Sequence, residues 1–254
     1  MRILTWNVLK ENSRLKELID YAYNLNPDII CFQEVSFNVL NEFINDRKYF
    51  VYYTTDFINP NEYNNGYICT LSKIKPEESG EFEYFSKNVK SILNNIVYKI
   101  YNNNSEQHNA VTIKIKGNGN DIQIVNARLS CAIGPNDRIL QFHNILKEMN
   151  RNCINILCGD FNIVDSKLFN ILTGWTRGFR LNEYNFSERD AFEKLCDQYN
   201  MVNLFKDIST SVIPKLLLQF DHILVPKDVS ILYKEVSKVR FGSDHNMLLA
   251  DINI

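Results

Sequence analysis

No apolar run in this sequence approaches the roughly 18 residues that a membrane-spanning helix requires, which sets aside a transmembrane protein. The six cysteines include no Cys-x-x-Cys pair. Their scatter favours reduced, mostly buried thiols in a reducing compartment. Positive charge is in no surplus either: 28 Lys and Arg against 30 Asp and Glu leave a formal net charge of -2. Such a chain is no general sponge for nucleic acid, so a polyanion must be held by a local basic patch or through a metal. Trp6-Asn7 arrives almost at once, leaving no room for a signal peptide, and an intracellular location, cytoplasmic or nuclear, is expected. No linker, repeat or boundary interrupts the 254 residues, so one domain over 1–254 with a substantial core is expected, as a monomer. Asparagine is frequent, as in Asn102-Asn103-Asn104, so a lone Asn carries little functional weight.

What is present is an interleaving of strands and helices. Met1 to Val8 reads as a first strand. Ser13 is placed to cap a helix with Leu15, Leu18, Ile19 and Ala22 on one face, ended by Asn26-Pro27. Asp28 to Gln33 is a continuous apolar run, as in a strand covered on both faces. A second helix carries Val39, Leu40, Phe43 and Ile44. Tyr49 to Thr54 and Tyr67 to Ser72 read as strands around a turn at Asn64-Asn65-Gly66. Residues 75 to 108 admit several strand readings. Val111, Ile113 and Ile115 alternate, Gly117-Asn118-Gly119 turns, and Ile122 to Leu129 returns as a hairpin. Pro135 to Met149 has helical spacing, Ile154 to Cys158 is a buried strand, and Ser187 caps a helix through Ala191, Phe192 and Leu195. Phe220 to Val225 and Met247 to Ile254 are late strands. This supply suits two mixed sheets packed face to face with helices outside.

Five polar fragments recur where apolar runs stop: Thr5-Trp6-Asn7, Gln33-Glu34, Gly159-Asp160-Phe161-Asn162, Phe220-Asp221-His222 and Ser243-Asp244-His245. Carboxylates and amides converging with a histidine are what a hard divalent cation and a phosphate ester require. Two parallel neighbouring strands would set Asn7 beside Glu34, half of a Mg²⁺ site; a capped or solvated strand end is the plain alternative. Asp160 and Asn162, spaced i and i+2, can face one cleft, and Gly159 permits close backbone approach; an Asx turn is the alternative. Asp221 is placed to orient a histidine, and His222 alternates away from it. His108 and His143 lack acidic company and read as structural. Between Gly174 and Ser187, Trp175, Arg177, Phe179, Arg180, Tyr184 and Phe186 either stack on bases or pack inward. Lys10, Arg14 and Lys73 would add positive potential or simply be solvated.

In order and spacing these fragments resemble the endonuclease/exonuclease/phosphatase superfamily across nearly the whole chain. Gly66 to Lys73 resembles its central strand, and Asp137-Arg138 through Gln141 resembles its usual helix start. The resemblance implies a four-layer α/β/β/α sandwich with the site where loops of both sheets meet. It implies Glu34 as principal metal ligand for Mg²⁺, with Mn²⁺ as substitute, and Asn7 and Asp244 completing the sphere. Asp160 would orient or deprotonate the attacking water, and Asn162 would hold that water or a phosphate oxygen. His245, its tautomer fixed by Asp221, would donate to a non-bridging phosphate oxygen. One departure concerns Val125-Asn126-Ala127-Arg128-Leu129, where many members carry a histidine at the position of Arg128; exonuclease III-like members depart there too. Arginine is no general acid near neutral pH, but its fork can grip a phosphate. The choices are a phosphate clamp, a specialised or partly lost chemistry, or a surface arginine without a role.

A metal-dependent phosphodiesterase acting on nucleic acid or a nucleotide adduct is the expected function. The Trp-Cys-Asp-Arg signature of inositol phosphatases is missing around Asp221, and sphingomyelinases are usually secreted. The alternatives are a phosphomonoesterase or small-nucleotide phosphodiesterase, and a non-catalytic phosphate-binding module on the same fold. The many acids retained in one cleft argue against the last.

Overall fold

A computed structural model of the protein describes residues 1–59, 61–85, 105–117, 119–164, 166–211 and 218–254. The strands are β1 (Arg2–Asn7), β2 (Ile29–Ser36), β3 (Phe50–Ile58), β4 (Gly66–Ser72), β5 (Glu78–Glu83), β6 (Ser105–Glu106), β7 (Asn109–Ile115), β8 (Ile122–Arg128), β9 (Ile154–Asp160), β10 (Met201–Asn203), β11 (Asp221–Pro226), β12 (Ser230–Val236) and β13 (Leu248–Asn253). The helices are α1 (Leu15–Asn24), α2 (Phe37–Asp46), α3 (Pro135–Glu148), α4 (Lys167–Thr173) and α5 (Glu188–Gln198).

Side chains alternate across a strand, and this period sorts the sequence into layers. In β1, Leu4 and Trp6 pack outward against Leu15, Leu18 and Ala22 of α1 and Leu40 and Phe43 of α2. Ile3 faces the other way, into a core shared with Ile124 of β8, Ile156 of β9 and Ile223 of β11. On the far side, Val125, Leu157 and Leu224 meet Phe142 and Leu146 of α3 and Phe192 of α5. Three apolar layers therefore separate helices, sheet, sheet and helices, and the fold is the four-layer α/β/β/α sandwich.

One sheet runs β12-β13-β1-β2-β4-β3-β6 and the other β10-β11-β9-β8-β7-β5 among the described residues. Each contains one parallel pair, β1 with β2 and β8 with β9, amid antiparallel neighbours. The carboxyl ends of these pairs lie together, because Asn7 donates from Nδ2 to Asp160 Oδ2 at 3.0 Å. Just beneath, a buried amide clamp joins the sheets. Gln33 Nε2 donates to Asn126 Oδ1 at 2.8 Å, and Asn126 Nδ2 donates to the Cys69 carbonyl at 2.9 Å.

Some local expectations change. Helix α1 starts at Leu15 with Arg14 as its N-cap; it is the Asn12 side chain, not Ser13, that organises the entry, accepting from Arg14 N at 2.8 Å. An Asx turn thereby supersedes the expected serine cap. The second helix carries Val39, Leu40 and Phe43 buried and Ile44 exposed. Ser187 does cap α5, accepting from Asp190 N. The hairpin of β7 and β8 forms, with Ile115 opposite Ile122, while Asn118 of its turn lies outside the described residues. The ambiguous stretch 75–108 supplies β5 and β6, with 86–104 outside the described residues. All six cysteines are free and four are buried. No helix among the described residues is long and apolar enough to cross a membrane.

Candidate active site

Alternation also delivers the site. Asn7 continues the inward set of Ile3 and Thr5; Arg128 continues Ile122, Ile124 and Asn126; Asp160 continues Ile156 and Cys158; Asp221 opens the inward set of Ile223 and Val225. Strand register then sets Arg128 beside Asp160 and Asp160 beside Asp221. Gly159 makes the spacing possible. At its φ of +145° a Cβ would fall 1.8 Å from the Ala127 carbonyl oxygen.

Glu34 reaches the cleft by a distortion of β2. The pairing with β4 shifts between Phe32 and Val35, and Glu34 takes a φ of +56°. A left-handed glutamate at a bulge re-aims the side chain away from the strand's own alternation, and such strained non-glycine residues gather at functional sites. Its Oε1 accepts from Asn7 Nδ2 at 2.9 Å and from Arg128 Nε at 3.0 Å. Burial works against the charged form of Glu34, but Arg128 and the Asn7 hydrogen bond override it and hold the carboxyl below its usual range. Asn7 is thus beside Glu34, as parallel strands require. It presents its amide nitrogen there, while its Oδ1 accepts from Leu9 N at 3.1 Å.

Asp160 is buried and accepts from Asn7 Nδ2, from Asn162 N at 3.1 Å and from Asn162 Nδ2 at 3.1 Å. Burial pushes its carboxyl up to about 6, with His245 pulling in the opposite direction. Asn162, at a φ of +52°, spends its amide on Asp160 and on the Leu129 carbonyl, so it fixes the direction of Asp160. His245 Nδ1 lies 2.8 Å from Asp221 Oδ2, and its Nε2 lies 4.0 Å from Asp160 Oδ2. Burial disfavours the imidazolium, yet Asp221 and Asp160 outweigh it and raise the ring to about 10. His245 is therefore protonated at neutral pH and carries a proton toward the cleft. Its loop is tied to β1, since Ser243 Oγ donates to the Asn7 carbonyl at 2.7 Å and Trp6 Nε1 donates to the His245 carbonyl at 3.1 Å. Asp244 stands at the rim, its side chain half exposed and 3.9 Å from His245 Nε2.

Arg128 is no surface bystander. Its side chain is 11% exposed, and its fork meets Glu34, Asp56 at 3.4 Å and Glu106 at 3.2 Å. Neither Asp56 nor Glu106 emerges from the motif reading. The available signal for Asp56 was its place on the inward set of Tyr52 and Thr54 in β3; Glu106 sits on a two-residue strand with no pattern to read. Burial lifts the Asp56 carboxyl to about 7 against the pull of Arg128.

The remaining candidates divide. His222 lies between Phe161 and Phe192 on the outer face, away from the cleft. His143 contacts Tyr199, and His108 packs against Phe85. In the 174–187 segment, Arg177 sits between Phe169 and Phe179, so that interleaving of arginine and aromatics packs inward, while Trp175 is exposed. Lys10, Arg14 and Lys73 engage local partners, namely the Asn64 carbonyl, Glu17 and Asn26.

Two donor groupings are available to a cation. Asp160, Asp221 and His245 bring one donor atom each within 4.8 Å of one another. An imidazolium already paired with Asp221 has no lone pair to give, so this is a hydrogen-bonded acid–histidine pair before it is a metal cage. The side holding Glu34 and Asp160 is different. There Glu34, Asp160 and Asp244 gather carboxylate oxygens around the cleft, donors that suit a hard divalent cation, while Asp56 and Glu106 pair with Arg128.

Such a site on such a sandwich defines a phosphoesterase-type fold. The chain matches the Endonuclease/Exonuclease/phosphatase family over residues 4–245, and it belongs to that family. No curated protein sequence matches it. Solved structures share the fold at low identity. An endonuclease/exonuclease/phosphatase family protein from Leptotrichia buccalis is 20% identical, with a TM-score of 0.69 and 100% of each chain covered. The human Nocturnin catalytic domain with bound sulfate anion is 17% identical, with a TM-score of 0.71, covering 100% of this chain and 94% of that one. The 3′ phosphatase NExo from Neisseria, bound to product DNA hairpin, is 17% identical, with a TM-score of 0.65 and 100% of each chain covered.

Proposed function

We propose that this protein is a divalent-metal-dependent phosphodiesterase that hydrolyses a phosphodiester of nucleic acid or of a nucleotide adduct, with Mg²⁺ as its ion and Mn²⁺ as a substitute. The observation that carries the reading is geometric: in one buried cleft Asp160 faces His245 Nε2 at 4.0 Å, while Asp221 lies 2.8 Å from the ring's other nitrogen. Asp160, held by three amide hydrogen bonds and raised to about 6, is poised to take a proton from water at neutral pH. His245, raised to about 10, is poised to donate toward a phosphate oxygen as negative charge builds. Asp221 keeps that ring charged and aimed. Glu34 would be the principal holder of the ion. Asn7 supports Glu34 through its amide, and Asp244 at the rim would help to hold the ion. The bound ion would neutralise phosphate charge and lower the pKa of a bound water.

The fold neighbour bound to product DNA hairpin supports nucleic acid as the substrate. The neighbour named a 3′ phosphatase keeps a phosphomonoester in view. Labelled DNA, RNA, tyrosyl-linked and 3′-phosphate substrates incubated with Mg²⁺ or Mn²⁺ test the reading. The expected result is cleavage of at least one phosphodiester, and a fall in kcat of about 10²- to 10⁴-fold in Asp160→Asn with KM little changed. Cleavage confined to the terminal monoester would move the assignment to a phosphatase. An Asp160→Asn rate close to wild type would remove the base.

A further inference from the structure

The fork of Arg128 has two edges with different company. Nη1 lies 3.2 Å from Glu106 Oε1 and 3.4 Å from Asp56 Oδ1, both on the β3–β6 margin of the first sheet. Nε and Nη2 each lie 3.0 Å from a single atom, Oε1 of Glu34, and Nε is 3.9 Å from Asp160 Oδ2. Oε1 of Glu34 also accepts from Asn7. Oε1 is thus taken up by two hydrogen bonds and the ion pair with Nη2, and a divalent ion set against that same oxygen would lie beside a guanidinium and be repelled in a buried setting. For the ion to take that oxygen, the arginine must give it up.

The other edge has no such reason to move. Asp56 is buried, and its Oδ2 has no hydrogen-bond partner, so this carboxylate depends on Arg128 for compensation. The side chains of Asp56 and Glu106 are 1% and 10% exposed, which shields the anchoring contact from solvent. Such an anchor lets the fork pivot without leaving the cleft.

We propose that Arg128 is an exchangeable counter-ion. It pairs with Glu34 until the metal arrives, gives up that carboxylate to the ion, and turns its freed Nε–Nη2 edge to a non-bridging oxygen of the substrate phosphate. Asp56 and Glu106 are positioning residues that hold its Nη1 edge throughout. The proposal rests on Glu34 as the metal-holding carboxylate and adds an order to assembly of the site: metal first, phosphate second.

Calorimetry with Mn²⁺ alone, without substrate, tests the exchange. Arg128→Lys keeps the charge but has no fork to hold Glu34 and the Asp56–Glu106 anchor together. It is expected to bind Mn²⁺ about tenfold more tightly than wild type and to bind inorganic phosphate about tenfold more weakly at saturating Mn²⁺. Arg128→Lys binding Mn²⁺ no more tightly than wild type, with Glu34→Gln still weakening that binding, would overturn the exchange and leave the metal site standing. Wild-type Mn²⁺ affinity in Glu34→Gln would instead overturn the functional reading on which the exchange rests. For the anchor, Asp56→Asn is expected to raise KM for a phosphodiester severalfold with kcat and Mn²⁺ affinity nearly unchanged, and Asp56→Glu to recover part of the loss. A fall in kcat at constant KM would contradict the positioning role.

Discussion

Neighbouring residues of similar chemistry have opposite fates here, and strand alternation decides which. Asp221 points into the cleft and charges His245, while His222, the next residue, points out into Phe161 and Phe192. Burial first, and Arg189 second, push the His222 ring well below its usual value, so it folds neutral. The unfolded chain takes up a proton at this residue as pH falls through about 6.5, and the folded chain does not. Stability from His222 is therefore complete above that pH and declines by about 1.4 kcal/mol per unit below it. Urea melts of His222→Leu between pH 7 and 5 are expected to show a shallower loss of stability than wild type. Equal slopes would mean that His222 accepts a proton in the folded protein.

Among elements, the parallel pair of β8 and β9 matters most, because its register alone aligns Arg128 with Asp160. That pair depends on Gly159, whose missing Cβ leaves room for the Ala127 carbonyl. Gly159→Ala must either separate the strands or flip a peptide, at a cost of about 3 kcal/mol. A drop in the thermal midpoint together with weakened Mn²⁺ binding is the expected outcome; a wild-type melt would show that the strands have slack. A second tie works from outside. Arg138 of α3 bonds to Glu188 at the start of α5 at 2.6 Å and donates to the Ser130 carbonyl at 2.6 Å, fixing the segment that follows Arg128. Both side chains are fully buried, and Glu188 also accepts from Val164 N just beyond Asn162.

At the scale of the whole molecule, what was legible in the sequence is what period-2 alternation and strand endings encode. Asn7, Arg128, Asp160 and Asp221 all terminate or open inward-facing sets, so their convergence follows once the two sheets are stacked. Glu34 was legible as a strand end, but not the bulge and left-handed backbone that re-aim it, since a register shift depends on the partner strand β4. Asp56 offered only its place on the inward set of β3 and Glu106 no pattern at all, because their significance comes from a contact with Arg128 on a different strand. Ser13 misled because a serine before a helix competes with Asn12, and only the backbone path decides between them. The aromatic and arginine segment after residue 174 could not be divided into inward and outward members without the tertiary packing that puts Arg177 between two rings.

All of these scales meet in the proposed function, an oxygen-rich cleft holding a doubly charged ion to act on a phosphodiester. Turnover of bis-p-nitrophenyl phosphate measured as a function of Mn²⁺ concentration tests it most directly. The expected curve is saturable, vanishes in EDTA, returns with added metal, and moves to higher Mn²⁺ in Glu34→Gln. Turnover that persists in EDTA, or that is absent at every metal concentration in a folded protein, would contradict it.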